Sequence, residues 1–79
     1  MSNSFNKLKA IFNNLGDSIH PIDIEKIEML RDEDSSLGLV DFIRAFEEVK
    51  KENPEFKEID SRYMMQQAKK LFKLYKKEL

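Results

Sequence analysis

Apolar residues recur at helical spacing in three stretches of this chain and break into a mixed pattern in a fourth. In "SFNKLKAIFNNLG", Phe5, Leu8, Ile11, Phe12 and Leu15 follow the three-and-four step of one helix face. Ser4 is placed to cap the start of this segment and Gly16 to stop it. In "SSLGLVDFIRAFEEVKKEN", Leu37, Val40, Ile43, Phe46 and Val49 make a stripe, widened by Leu39 and Phe42, with Asp41, Arg44, Glu47 and Glu48 off it. Ser35 or Ser36 supplies the N-cap of this second helix. It must end near Asn53, because Pro54 disfavours a helical residue before it. The last segment, "SRYMMQQAKKLFKLYKKEL", aligns Met64, Ala68, Leu71, Phe72, Tyr75 and Leu79, with Asp60 or Ser61 as cap. Between these two, "PEFKEID" reads as a turn or a short helix.

The fourth stretch, Asp17 to Asp34, gives two answers. Ile22 and Ile24 alternate as in a strand, whereas Ile24, Ile27 and Leu30 are spaced as in a short helix. With Pro21 and polar ends, it reads as an ordered loop holding one or two helical turns and anchored by isoleucines. The fold expected is all-α: a single domain over residues 1–79, built as a small three-to-four-helix bundle with a long loop between helices one and two.

Length limits what such a bundle can do. A chain of 79 residues buries only about 60–65% of its surface on folding, so binding across a surface is easier to build than a deep, dry catalytic cavity. Charged residues make up 37% of the chain and cysteine is absent, which removes disulfide and thiolate-metal designs. No apolar run approaches the roughly 18 residues of a membrane span, and "MSNSFNKLKAIF" lacks the apolar segment of a secretory signal. A cytoplasmic, monomeric, non-enzymatic protein is expected. The net charge of −1 hides a division: residues 1–60 carry 8 Lys/Arg and 14 Asp/Glu, a charge of −6, and residues 61–79 carry 6 Lys/Arg and 1 Glu, a charge of +5. The acidic body argues against a general nucleic-acid binder.

Candidate chemistry is sparse. His20 is the only histidine and precedes a proline, so it has no second imidazole or thiol with which to form a metal site or a nucleophile–base pair. "DEDSSLGLVDF" places Asp32, Asp34 and Ser36 at the first, third and fifth positions of a calcium loop. Leu37 then stands where the turn needs glycine, and Ile43 where the bidentate glutamate belongs. The lysines at 69, 70, 73, 76 and 77 describe a solvated helix face favoured by the helix dipole. Met64 and Met65 read as core filler.

A serine opening a helix is ordinarily only a cap, but the order of residues around Ser36 adds a second reading. "SSLGLVDFIRAFEE" resembles the start of the second helix of acyl carrier proteins, whose motif is Asp-Ser-Leu followed by a Val-Glu-Leu-Val-type run and an acidic pair. Ser36-Leu37 sit on Ser-Leu, Val40-Asp41-Phe42-Ile43 on the run, and Ala45-Phe46-Glu47-Glu48 on the helix end. Pro54 and the pattern of Met65, Gln66, Ala68, Leu71 and Phe72 extend the similarity over most of the chain, though it is specific only from Ser36 to Glu48. Ser35 replaces the motif's aspartate, and Asp34-Ser35 restores the Asp-Ser order one residue earlier, making Ser35 the rival site.

The resemblance implies a bundle of the acyl-carrier type in which Ser36 bears 4′-phosphopantetheine. The partners implied are a phosphopantetheinyl transferase and the acyl-transfer or synthase enzymes of fatty-acid, polyketide or related pathways. Leu37, Asp41, Glu47 and Glu48 would form the docking face, and Phe42, Ile43, Phe46, Met65 and Phe72 would shelter an acyl chain. A phosphodiester on a serine at a helix start would lie near free backbone N–H groups. The competing class is an unmodified helical adaptor or inhibitor that binds through the acidic second helix or the basic last one. A nucleic-acid binder using the last helix ranks below both.

Overall fold

The computed structural model describes residues 3–15, 18–54 and 61–77. Its elements are four helices: α1 (Asn3–Asn14), α2 (Pro21–Glu33), α3 (Leu39–Glu52) and α4 (Ser61–Lys76). They form a ring in which α1 and α4 each pack against both α2 and α3, leaving α1/α4 and α2/α3 as the diagonals. The all-helical expectation holds. The expected helices one and two correspond to α1 and α3.

The long loop does not hold: residues 21–33 form a helix of 13 residues. Its start follows from local chemistry. Pro21 occupies the first helical turn, where its missing N–H costs nothing. The Asp23 carboxylate reaches back to accept the N–H of the cap residue His20 at 2.8 Å. Asp23 is buried by this arrangement, on the same side as Ile27 and Leu30. The apolar pattern was uninformative because Ile22 and Met29 face solvent, 55% and 59% exposed, while an aspartate takes a core-facing place.

Gly38 caps α3 and is answered the same way: its N–H donates to the Asp41 carboxylate at 2.8 Å. Neither Ser35 nor Ser36 is therefore the cap, which corrects the expected start of this helix. Gly38 has an ordinary extended backbone, φ −109°, and an added Cβ would meet only the Asp41 carboxylate, at 3.8 Å. Gly38→Ser is expected to supply a side-chain cap and raise the urea midpoint by the equivalent of a few tenths of a kcal/mol. An unchanged or lower midpoint would contradict this reading of the cap. The caps expected at Asp60 or Ser61, the stop at Gly16, the end of the "PEFKEID" turn and Leu79 lie outside the residues or side chains described. Ser4 lies within α1.

The core is built from Leu8, Ile11 and Phe12 of α1; Ile27 and Leu30 of α2; Phe42, Ala45, Phe46 and Val49 of α3; and Ala68, Leu71 and Tyr75 of α4. Leu37 joins it from the α2–α3 connection. Val40 does not: it is 66% exposed. The expected stripe 37-40-43-46-49 steps by three throughout, and each such step drifts about 60° around a helix, so it cannot stay on one face. The buried set 42-45-46-49 keeps the three-and-four alternation. Phe42 crosses the centre, with its ring 6.3 Å from Phe12, 5.4 Å from Phe72 and 5.3 Å from Tyr75. It thereby links α1 to α4, which do not pack directly.

Candidate functional site

The serine singled out by the sequence lies in the connection between α2 and α3, residues 34–38. The connection crosses the diagonal of the ring and is fixed at both ends. Asp34 closes α2, its N–H donating to the Leu30 carbonyl at 2.9 Å. Its carboxylate then accepts the Ser36 N–H at 2.9 Å and the Ser36 hydroxyl at 2.5 Å. An acid taking the N–H two residues ahead is an Asx-type turn. The Asp34-x-Ser36 spacing was a sequence signal for this turn.

The second anchor is Tyr75. Its hydroxyl accepts the Leu37 N–H at 3.1 Å and donates to the Asp34 carbonyl. The ring is fully buried against Phe42 and Phe72. α4 thus holds the backbone of the connection from beneath, while Ser35 and Ser36 stay exposed on top. Leu37, expected on the docking face, is buried in the core, which removes it from any partner surface.

Two groups here have displaced proton affinities. Bonds from the Ser36 hydroxyl and N–H, with a further one from Ser4, hold the Asp34 carboxyl below its ordinary value of 3.8. Burial pushes the Tyr75 phenol above its ordinary 10.0, opposed by the Leu37 N–H. The two signs differ. The native state favours the Asp34 carboxylate, so that contribution is present above the ordinary value of about 3.8 and lost as pH falls through the lowered one. It also favours the neutral phenol, so that contribution is present below pH 10.0 and lost as pH rises through the raised one.

Tyr75→Phe removes the acceptor of the buried Leu37 N–H and the donor to Asp34. It is expected to cost about 1–3 kcal/mol and to lessen the alkaline loss of stability. Urea melts at pH 7 and pH 10.5 would measure both, and a midpoint equal to wild type would contradict the anchoring role.

The remaining candidates divide. Asp41 is half-buried and its carboxylate is committed to Gly38. Glu47 is exposed and Glu48 half-buried, both on α3. Of the five residues expected to shelter an acyl chain, Ile43, Phe46 and Met65 line a cleft of about 100 Å³ between α3 and α4, together with Glu47 and Met64. Phe42 and Phe72 instead meet edge to face in the aromatic cluster. Met65, expected as core filler, is 39% exposed. A larger cleft of about 230 Å³, which the sequence did not suggest, lies between α1 and α2, with Ala10, Ile11, Met29 and Leu30 as its floor and the Lys7–Glu33 ion pair at its edge.

Ser36 is two residues ahead of the α3 cap. The first-turn N–H groups of Leu39 and Val40, which by helix geometry have no partner within the helix, lie beyond Leu37 and Gly38. A phosphodiester on Ser36 would lie a few residues ahead of these donors; the Asp34 carboxylate must first release the hydroxyl, and the Asp41 carboxylate already stands at the helix start. The fit is that of an exposed, oriented hydroxyl with an anion-favouring helix start a short distance along the chain. Among the described residues, no three His, Cys, Asp or Glu side chains gather as a metal site, and no helix is long and apolar enough to cross a membrane. No family model, curated protein or solved structure matches this chain.

Proposed function

We propose that the protein is a carrier that bears 4′-phosphopantetheine on Ser36 and presents an acyl group to acyl-transfer or synthase enzymes. The observation that carries this reading is the Ser36 hydroxyl, which is exposed on a connection whose backbone is pinned by Tyr75 and is held in one orientation by Asp34. A modifying enzyme meets a serine whose ordering cost has already been met in the fold. Asp34 also sets a carboxylate beside the serine, the feature that the chain lacks at position 35.

In the modification, Ser36 Oγ forms a bond to the phosphorus of the phosphopantetheine moiety. The pyrophosphate bond of coenzyme A breaks, adenosine bisphosphate leaves, and the hydroxyl proton passes to the transferase. When bound, the group supplies a thiol that holds the acyl chain as a thioester; the chain's own residues give position and a docking surface. That surface is the outer side of α3, where Val40 and Glu47 are exposed just past the serine. Leu37 has no part in it, and Asp41 acts in it only through the helix start that it caps. The reading also places the protein in the cytoplasm with its transferase.

The test is incubation with a broad-specificity phosphopantetheinyl transferase and coenzyme A, followed by intact mass. Conversion of wild type beside a control carrier supports the reading, and an unconverted protein with a converted control overturns it.

A further inference from the structure

Helix α4 carries a surface that the serine site does not use. Lys69, Lys70, Lys73, Lys76 and Lys77 are all exposed, and residues 61–77 contain no Asp or Glu. At 100° per residue, the four within α4 occupy an arc of about 120° opposite the buried Ala68, Leu71 and Tyr75, and Lys77 follows just past the helix end, for a length of about 10–12 Å. Among the described residues, no ion pair joins any of the five to an acid. Lys76 instead lies 5.8 Å from the Phe72 ring centre and 5.7 Å from that of Tyr75.

The dipole of α4 favours cations only near its last turn, whereas the stripe starts two turns earlier. Within it, Lys69 and Lys73, Lys70 and Lys73, and Lys73 and Lys76 are spaced by three or four, so each pair weakens the helix by repulsion. A bound anion would remove that repulsion.

We infer that the lysine stripe of α4 docks an acidic segment of another protein, a helix or strand presenting carboxylates along about 12 Å. The shape of the charge decides the class of partner. Residues 1–60 carry 14 Asp/Glu against 8 Lys/Arg, so the rest of the molecule is rich in acids. A duplex or a bilayer, wider and longer than the stripe, would run onto those acids, while a single acidic helix about 10–12 Å across would not. The residues of the stripe are lysine point charges, with no exposed aromatic platform for bases among them. Lysine point charges suit fast, salt-sensitive docking of carboxylates. This inference does not depend on modification of Ser36.

The experiment is fluorescence anisotropy of the full chain with a labelled glutamate-rich helical peptide of about twelve residues. It is run beside a DNA duplex, a single-stranded RNA and vesicles containing about 30% anionic lipid. The peptide is expected to bind more tightly than the other three, and to weaken at least about tenfold from 50 to 300 mM salt as screening shortens. Lys69→Glu/Lys73→Glu should cost about tenfold or more at low salt, whereas Lys26→Glu/Lys51→Glu, the same charge change on α2 and α3, should cost less than about threefold. If the reversal variant loses its helical spectrum, Lys69→Ala/Lys73→Ala takes its place. Absence of peptide binding, tighter binding of nucleic acid or vesicles, or equal losses in the two double variants would overturn the inference.

Discussion

Phe42→Ala should lower the stability of this protein by about 3–5 kcal/mol, while Val40→Asp, two residues away, should change it little. Phe42 is fully buried and its ring meets rings from α1 and α4. Truncating such a ring costs about 3–5 kcal/mol through lost transfer energy and the cavity left behind. A chain of 79 residues has a total stability of only about 4–12 kcal/mol. Its neighbours cannot close the gap easily, because Phe12, Phe72 and Tyr75 come from two helices that have no direct contact of their own.

Val40 is exposed in the first turn of α3, so a charge there stays in water, and an aspartate near a helix start is favoured by the dipole. Its expected effect is within about 0.5 kcal/mol. From the sequence stripe alone, Val40→Asp is expected to unfold the chain, as Phe46→Asp is. Equilibrium urea melts of Phe42→Ala and Val40→Asp separate the two accounts, and a collapse of Val40→Asp would contradict the helix register described here.

The second large effect concerns Ser36→Ala. On the proposed function it abolishes the mass gain from transferase and coenzyme A completely, since no other atom at that position can form the phosphoester. The fold should change little. Ser36 is exposed, and the substitution removes its hydroxyl bond to Asp34 while keeping the backbone bond from the Ser36 N–H. It is not the cap of α3, so no helix start is lost with it. Ser35→Ala should leave conversion possible, because Asp34 holds Ser36 and not Ser35. Asp34→Asn keeps the shape but lessens the pull on the hydroxyl, and should slow conversion rather than stop it. Conversion of Ser36→Ala at the wild-type rate would move the site to Ser35.

The parts of the fold that were legible are those where burial and periodicity agree. In α1, Leu8, Ile11 and Phe12 lie in the core as their spacing requires, with Phe5 and Leu15 packed at its edge. The end of α3 at Asn53 follows from Pro54. α2 was obscured because its capping signals, Pro21 at the first turn with Asp23 behind it, were outweighed by a broken apolar pattern in which Ile22 and Met29 are exposed. Gln67, a polar residue buried in α4, was hidden from the same pattern, and its side-chain oxygen has no partner among the described residues.

At the candidate site, Ser36 was legible as an exposed residue ahead of an apolar helix, but its companions were not. Tyr75 reads as core from its spacing, and only the three-dimensional packing brings its hydroxyl to Asp34 and Leu37, about 40 residues earlier. Serine is a better cap than glycine in isolation, which is why the sequence points to Ser35 or Ser36. Asp41, three residues after Gly38, decides the matter by accepting the Gly38 N–H.

The most direct test of the carrier reading is the intact mass of the protein purified from its native host, read with a peptide map across residues 32–44. The account predicts a fraction heavier than the bare chain by one phosphopantetheinyl group, with the added mass on Ser36. A single species at the bare mass, isolated from cells whose other carriers are modified, would contradict it.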